Sequence, residues 1–165
     1  MTAEDRLAAL EARLRRLEDE REIARIVASY GPCVDAANAA GAADLWAEDG
    51  SYDVEGWRMN SRADVRAMVE SDGHRALVAA GCCHFLGPAV VTVDGDEAVA
   101  LCESVVLRSG ADGYRVWRAA ANHFQLRREA AGWRIAARTT RLLNGDPDAH
   151  RLLMAGVAGE RIDPS

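Results

Sequence analysis

The stretch AAGCCHFLGP places two thiols and an imidazole side by side, as Cys82-Cys83-His84. Three chemistries use such groups: zinc binding, thiolate attack, and proton transfer by the imidazole alone. Along a strand, adjacent side chains point to opposite faces, so Cys83 and His84 cannot both reach one ion. Cys82 and His84 share a face, but a tetrahedral site needs two further ligands. His74, His123, His150, Cys33 and Cys102 each stand isolated, and no metal is expected. A reactive thiolate asks for an electropositive, partly exposed setting. Here Gly-Cys-Cys leads into an apolar strand, where small thiols pack as core residues.

Proton transfer by His84 needs a partner. A histidine working as a base near neutral pH does best when a carboxylate accepts from its other ring nitrogen. That contact fixes the tautomer and stabilises the imidazolium formed in turnover. Asp35 is the candidate, because it follows the apolar stretch Ile26–Val34, where a merely solvated carboxylate has no need to be. Two plainer readings stand beside this one: Asp35 as the cap of a following helix, and His84 as a hydrogen-bonded core histidine.

The elements that must position these residues come in two groups. Leu7, Leu10, Leu14 and Leu17, then Ile23, Ile26 and Val27, recur at helical spacing over the first thirty residues. Thr2 and Asp5 form a capping-box start. The leucines make about two heptads, which suits either packing on the chain's own domain or an oligomerisation arm. Gly31-Pro32 predicts a kink or break. A second helix is expected over Asp35–Ala47 with Leu45 and Trp46 facing inward, then a turn and short strand in EDGSYDVEGW, and a third helix from Ser61 carrying Val65, Met68 and Val69. From residue 82 the period changes to that of strands. Asp94-Gly95 suits a tight hairpin, and SGADG and EAAG mark two later turns. Helices first and an antiparallel meander afterwards make an α+β class.

With 165 residues and 49% hydrophobic content the chain holds one core. Residues 1–145 read as a single domain with 1–20 as a helical extension, and 146–165 as a tail with one short helix. A net charge of −6 and 5% aromatic content argue against nucleic-acid and anionic-membrane partners. No apolar run reaches the roughly 20 residues of a membrane helix. The charged N-terminus is unlike a secretory signal, so reduced cysteines and a cytoplasmic location are expected.

The ordered pieces REIARIVASYGPCVD, AADLWAEDGSYDVEG, GCCHFLGPAVVTVDGDEAVA and NHFQLRREAAGWRIAARTTRLL resemble the SnoaL-like branch of the nuclear transport factor 2-like superfamily, over roughly residues 5–145. The resemblance implies a cone-shaped α+β barrel, a curved antiparallel sheet with helices closing an apolar pocket. In motif it is nearest to the scytalone dehydratases and hexachlorocyclohexane dehydrochlorinases. These imply a dyad at Asp35 and His84, an aromatic pocket residue at Tyr52, a polar helper at Tyr30 and a late-strand arginine best matched by Arg141. They also imply a second histidine, for which His123 is nearest, and a homo-oligomer, with a trimer preferred over a dimer.

Strand parity refines the lining. Val116, Arg118, Ala120, Asn122, Phe124 and Leu126 share a face, which puts Asn122 and Phe124 toward the ligand if His123 points out. Trp133, Ile135, Thr139 and Arg141 share the matching face, favouring Arg141 over Arg138. With inward-facing Trp46, the expected substrate-binding set is Tyr52, Trp46, Asn122, Phe124 and Arg141. In an unbroken helix, Tyr30 and Asp35 would stand about 140° apart, so both reach the pocket only if Gly31-Pro32 bends. The expectation is a cofactor-free lyase of dehydratase type, or an isomerase, acting on a small hydrophobic carbonyl compound. The alternatives are a non-catalytic ligand-binding or dimerisation module, and a polyketide cyclase.

Overall fold

The computed structural model describes residues 1–163. Helix α1 (Ala3–Asp35) opens on the expected capping box, with the Thr2 hydroxyl accepting from the Asp5 amide and the Asp5 carboxylate accepting from the Thr2 amide. Its second half buries Ile23, Ile26, Val27, Tyr30 and Val34 along one stripe. The expected break at Gly31-Pro32 does not occur. Pro32 deprives only the carbonyl of Ala28 of its helical donor, at an exposed position where that group is open to solvent. Gly31 serves a tertiary contact instead, since a Cβ there would collide with the His84 carbonyl oxygen. The glycine lets α1 lie against the backbone that carries His84.

The expected Asp35–Ala47 helix is shorter and later. Ala37 takes a positive φ of 52°, Asn38 caps Gly41, and α2 covers Ala39–Ala43. Trp46 therefore falls in strand β1 (Trp46–Val54), which pairs with β2 (Trp57–Met59). Helix α3 (Arg62–Glu70) is capped by Ser61 as anticipated. Helix α4 (Asp72–Ala80), started by Ser71, is an addition to the expected elements.

Strands β3 (Cys82–Leu86), β4 (Val90–Asp94), β5 (Glu97–Gly110), β6 (Gly113–Glu129) and β7 (Gly132–Leu142) complete a seven-stranded sheet in the order β2-β1-β7-β6-β5-β3. β4 pairs with the first half of β5 and β3 with its second half. The β4–β5, β5–β6 and β6–β7 turns fall at the three expected places. β1 runs parallel to β7, and all other pairs are antiparallel. The sheet curves without closing, so the fold is α+β with an open cone rather than a sealed barrel.

The segment after residue 145 carries the one helix expected of it, and that helix packs on the sheet. Helix α5 (Pro147–Ala158) buries Ala149, Leu152 and Gly156 against the outer face of the sheet. His123 Nε2 donates to the Glu160 carbonyl at 2.9 Å, and Gln125 Nε2 donates to that of Ile162 at 2.7 Å. Positions 164 and 165 of the expected tail lie outside the described residues.

Candidate active site

Asp35 is the last residue of α1, where a negative charge opposes the helix dipole. What it gains in exchange is β3. Its Oδ2 accepts the His84 backbone amide at 2.7 Å, and its Oδ1 accepts from His84 Nδ1 at 2.6 Å. The Cys82 thiol reaches the same Oδ1 at 3.5 Å. A carboxylate only accepts, so Nδ1 carries the ring proton and Nε2 is left with a lone pair. Nε2 has no protein partner among the described residues, and the ring borders a cavity. Burial pulls the His84 pKa down from its ordinary value, against the upward pull of Asp35 and with smaller downward pulls from His74 and Arg138. The ring is thus a neutral base at neutral pH.

The 140° puzzle resolves without a bend. Tyr30 lines the cavity from the inner face of α1, while Asp35 stands behind His84 and holds it from outside. The cavity has a volume of about 160 Å³, bordered by Tyr30, Tyr52, His84, Arg118, Asn122, Arg138 and Thr140 among apolar side chains. Burial raises the Tyr30 pKa far above the ordinary phenol range, so its hydroxyl stays protonated and able to donate.

Arg141 is a correction. The register between β6 and β7 shifts between Gln125 and Leu126, leaving Ala136 as an extra residue in β7. This bulge reverses the alternation. Trp133 and Ile135 point to the core as expected, but beyond the bulge Arg138 and Thr140 face the cavity, and Thr139 and Arg141 face outward. Arg141 instead binds Asp53, at 2.7 Å and 3.2 Å. Burial pushes the Asp53 carboxyl up, but the bonds from Arg141 and the Gly56 amide outweigh it and hold the group below the ordinary range. Both line a groove of about 810 Å³ beside α5, on the face away from His84.

Arg138 is 3% exposed, with Tyr30, Tyr52 and Phe124 ring centres 4.2 Å, 4.4 Å and 4.9 Å from its guanidinium carbon. Its Nη2 donates to Asn122 Oδ1 at 2.7 Å, while Nε and Nη1 are buried without an acceptor. Asn122 borders the cavity but is fully engaged: Oδ1 also accepts from Thr140 at 2.8 Å, and Nδ2 donates to Ser104 at 2.9 Å. It positions Arg138 rather than offering a free group to a ligand. Phe124 and Trp46 are corrections too. Both are wholly buried, Phe124 under Arg138 and Trp46 edge-on to Tyr30 at 5.6 Å, and neither borders the cavity.

His123 points outward to Glu160, and the histidine that approaches His84 is His74, 6.1 Å away between ring centres. Its Nε2 donates to the Val34 carbonyl at 2.8 Å. A helix cap at Ser71, followed by the apolar Ala76-Leu77-Val78, is the signal in the sequence that could have placed it. Asp35, Cys82 and His84 also put three potential ligand atoms within 4.8 Å of one another. Asp35 is the member of that set that spacing along the chain does not reveal. Burial, then the bond to Asp35, pushes the Cys82 thiol up to about 11. In this structure the three groups are joined by hydrogen bonds, with the Cys82 thiol and His84 Nδ1 both directed at Asp35 Oδ1.

A model of the SnoaL-like domain matches residues 15–139. Among solved structures, the chain is similar to an NTF2-like protein with a cystatin-like fold from Novosphingobium aromaticivorans. That likeness has 47% identity, a TM-score of 0.87, and coverage of 89% of this chain and 96% of the other. A protein of unknown function from Mycobacterium tuberculosis follows at 24% identity, TM-score 0.67, covering 85% and 96%. The beta subunit of a putative aromatic-ring-hydroxylating dioxygenase from Novosphingobium aromaticivorans shares the fold at 23% identity, TM-score 0.62, covering 78% and 91%. No curated protein matches. No described helix is long and apolar enough to cross a membrane.

Proposed function

We propose that this chain, which belongs to the SnoaL-like domain family, is a cofactor-independent lyase of dehydratase type, or an isomerase, working by proton abstraction from carbon. The observation that carries this reading is the 2.6 Å contact of His84 Nδ1 with Asp35 on a ring that borders a cavity. A non-catalytic module of the same fold has no need to hold those two groups in reach of each other.

His84 Nε2 takes a proton from carbon beside a carbonyl, and Asp35 stabilises the imidazolium that forms. The C–H electron pair moves toward the carbonyl oxygen, where Arg138 and the protonated Tyr30 supply donors. In elimination those electrons return to form the carbon–carbon double bond as the C–O bond at the next carbon breaks. The departing hydroxide then takes a proton from Tyr30, Tyr52 or His84 and leaves as water. In isomerisation His84 returns the proton to a different carbon. A cavity of about 150 Å³ with apolar walls holds a molecule the size of benzene, so the substrate is a single ring or a chain of similar bulk. His84→Gln or Asp35→Asn should remove turnover while cooperative unfolding persists. Full rate in both variants on an identified substrate rejects the dyad.

The chain is also proposed to self-associate. Leu7, Leu10, Leu14 and Leu17 are 58%, 60%, 56% and 62% exposed, on the first half of α1, whose first hydrogen bonds to the sheet come at Arg16 and Asp19. With the leucines as the a and d positions of a heptad, Arg6 and Arg13 flank one side and Glu11 and Glu18 the other. Parallel copies pair Arg6 with the partner's Glu11 and Arg13 with the partner's Glu18. Antiparallel copies bring like charges together. The seam therefore fits parallel copies of this chain, in a cyclic assembly such as the trimer.

A further inference from the structure

The cavity beside His84 carries an unbalanced charge. In the β3–β5–β6 register, His84 sits opposite Val106 and Val106 opposite Arg118, so Arg118 lies in the same row and faces the same side. Its Nη2 is buried without a hydrogen-bond partner. Arg138, two strands from β5, closes the other side of the same space with two unpartnered buried nitrogens. No aspartate or glutamate borders the cavity among the described residues. Asp35, behind His84, is taken up by the imidazole, an amide and a thiol. Neither arginine has an ion pair among the described residues, although the protein as a whole carries a charge of −6.

Arg138 is buried and Arg118 half-buried with its Nη2 out of solvent. Charge held there without a counter-charge is costly, so a ligand of opposite sign would relieve it. The three rings around Arg138 attract its charge without neutralising it. A neutral hydrocarbon-like ligand would leave both guanidiniums unpaired. A carboxylate matches the planar fork of a guanidinium with two parallel hydrogen bonds.

We infer that the substrate is an anion: a small, single-ring-sized apolar carboxylate whose charge pairs with Arg118, leaving Arg138 for the carbonyl oxygen. Arg118 is then the residue that selects charged from neutral ligands. This rests on the proton-abstraction reading for the role of Arg138, but the charge preference is a binding property and is measured without turnover.

The test is calorimetric titration of the full chain with benzoate and with benzamide, which keep ring and size and differ in charge. Wild type should bind benzoate at least about tenfold more tightly than benzamide, and Arg118→Met should lose most of that preference while Arg118→Lys keeps part of it. His84→Gln should keep the preference, since the base is not the charge-pairing group. Equal binding of the two ligands, no benzoate binding at about 10 mM, or an unchanged preference in a folded Arg118→Met would overturn the inference. If turnover of an identified substrate still depends on His84 in that event, the substrate class fails and the base survives.

Discussion

His84 and Asp35 are joined twice: one carboxylate oxygen takes the ring Nδ1–H at 2.6 Å and the other takes the backbone amide at 2.7 Å. The second bond fixes where β3 sits relative to the end of α1, and the first then fixes the imidazole plane and tautomer. The same carboxylate positions the strand and the base.

The pH dependence follows from the direction of the His84 shift. Its folded pKa is below the ordinary 6.5, mainly through burial, so the neutral, active ring persists as pH falls past that value. Activity should fall on the acid side with a midpoint under 6.5. In Asp35→Asn the upward pull of the carboxylate is gone, and any residual activity should show a still lower midpoint. The linked stability runs the same way. The unfolded state binds the proton first, so the ring destabilises the fold as pH drops below about 6.5. Titration of the His84 ring by NMR checks the position, and a midpoint above 6.5 contradicts it.

Cys82 should be chemically quiet. Its thiol is pushed up to about 11, so at pH 7 only a very small fraction is thiolate. Cys82→Ala should keep turnover within about threefold, far less than the roughly 10²–10⁴-fold expected of a proton-transfer group. Mass spectrometry after iodoacetamide treatment at neutral pH should show slow labelling at this position. Rapid labelling with loss of activity would restore the nucleophile reading.

The two late-strand arginines should part company. Arg138→Met should lower kcat by about 10²–10³-fold, the scale of a lost oxyanion donor. Arg141→Met should leave kcat/KM nearly unchanged and act on stability through Asp53. Steady-state kinetics on both variants decides between them.

Much of this is legible in the sequence, and the misplacements have a common cause. Residue types and an apolar context make Asp35 and His84 candidates for one another, and the family resemblance is what favours that pairing over a helix cap and a core histidine. The hairpins follow from their turn dipeptides. Arg141 escapes strand parity because a bulge at Ala136 carries no strong local signal in an Ala-Ala pair, yet it inverts every later side chain. Trp46 and Phe124 fall behind the lining because period-2 patterning separates inside from outside but not a cavity wall from the core beneath it. Gly31-Pro32 has the look of local punctuation, whereas Gly31 answers to a tertiary contact with β3.

That contact is itself testable. In Gly31→Ala the new methyl meets backbone rather than a flexible side chain, so the unfolding free energy should fall by about 1–3 kcal/mol or more. Because the helix must back away from β3, the Asp35–His84 contact should loosen as well. Chemical denaturation measures the first effect. A stability equal to wild type would refute the close approach.

Leu10→Glu with Leu14→Glu should lower the molar mass seen by light scattering while leaving the domain folded by circular dichroism. An Ala3→Cys variant should cross-link between copies under mild oxidation, because position 3 continues the d series and meets its equivalent only in a parallel seam. An unchanged mass and no cross-link would leave the leucines without this role.

The most direct measurement is solvent exchange at carbon. Single-ring carbonyl-bearing carboxylates that bind the protein are incubated in D2O, and loss of the proton signal beside the carbonyl is followed by NMR. The account predicts exchange catalysed by wild type and abolished in a folded His84→Gln. Equal exchange rates in the two proteins would contradict it.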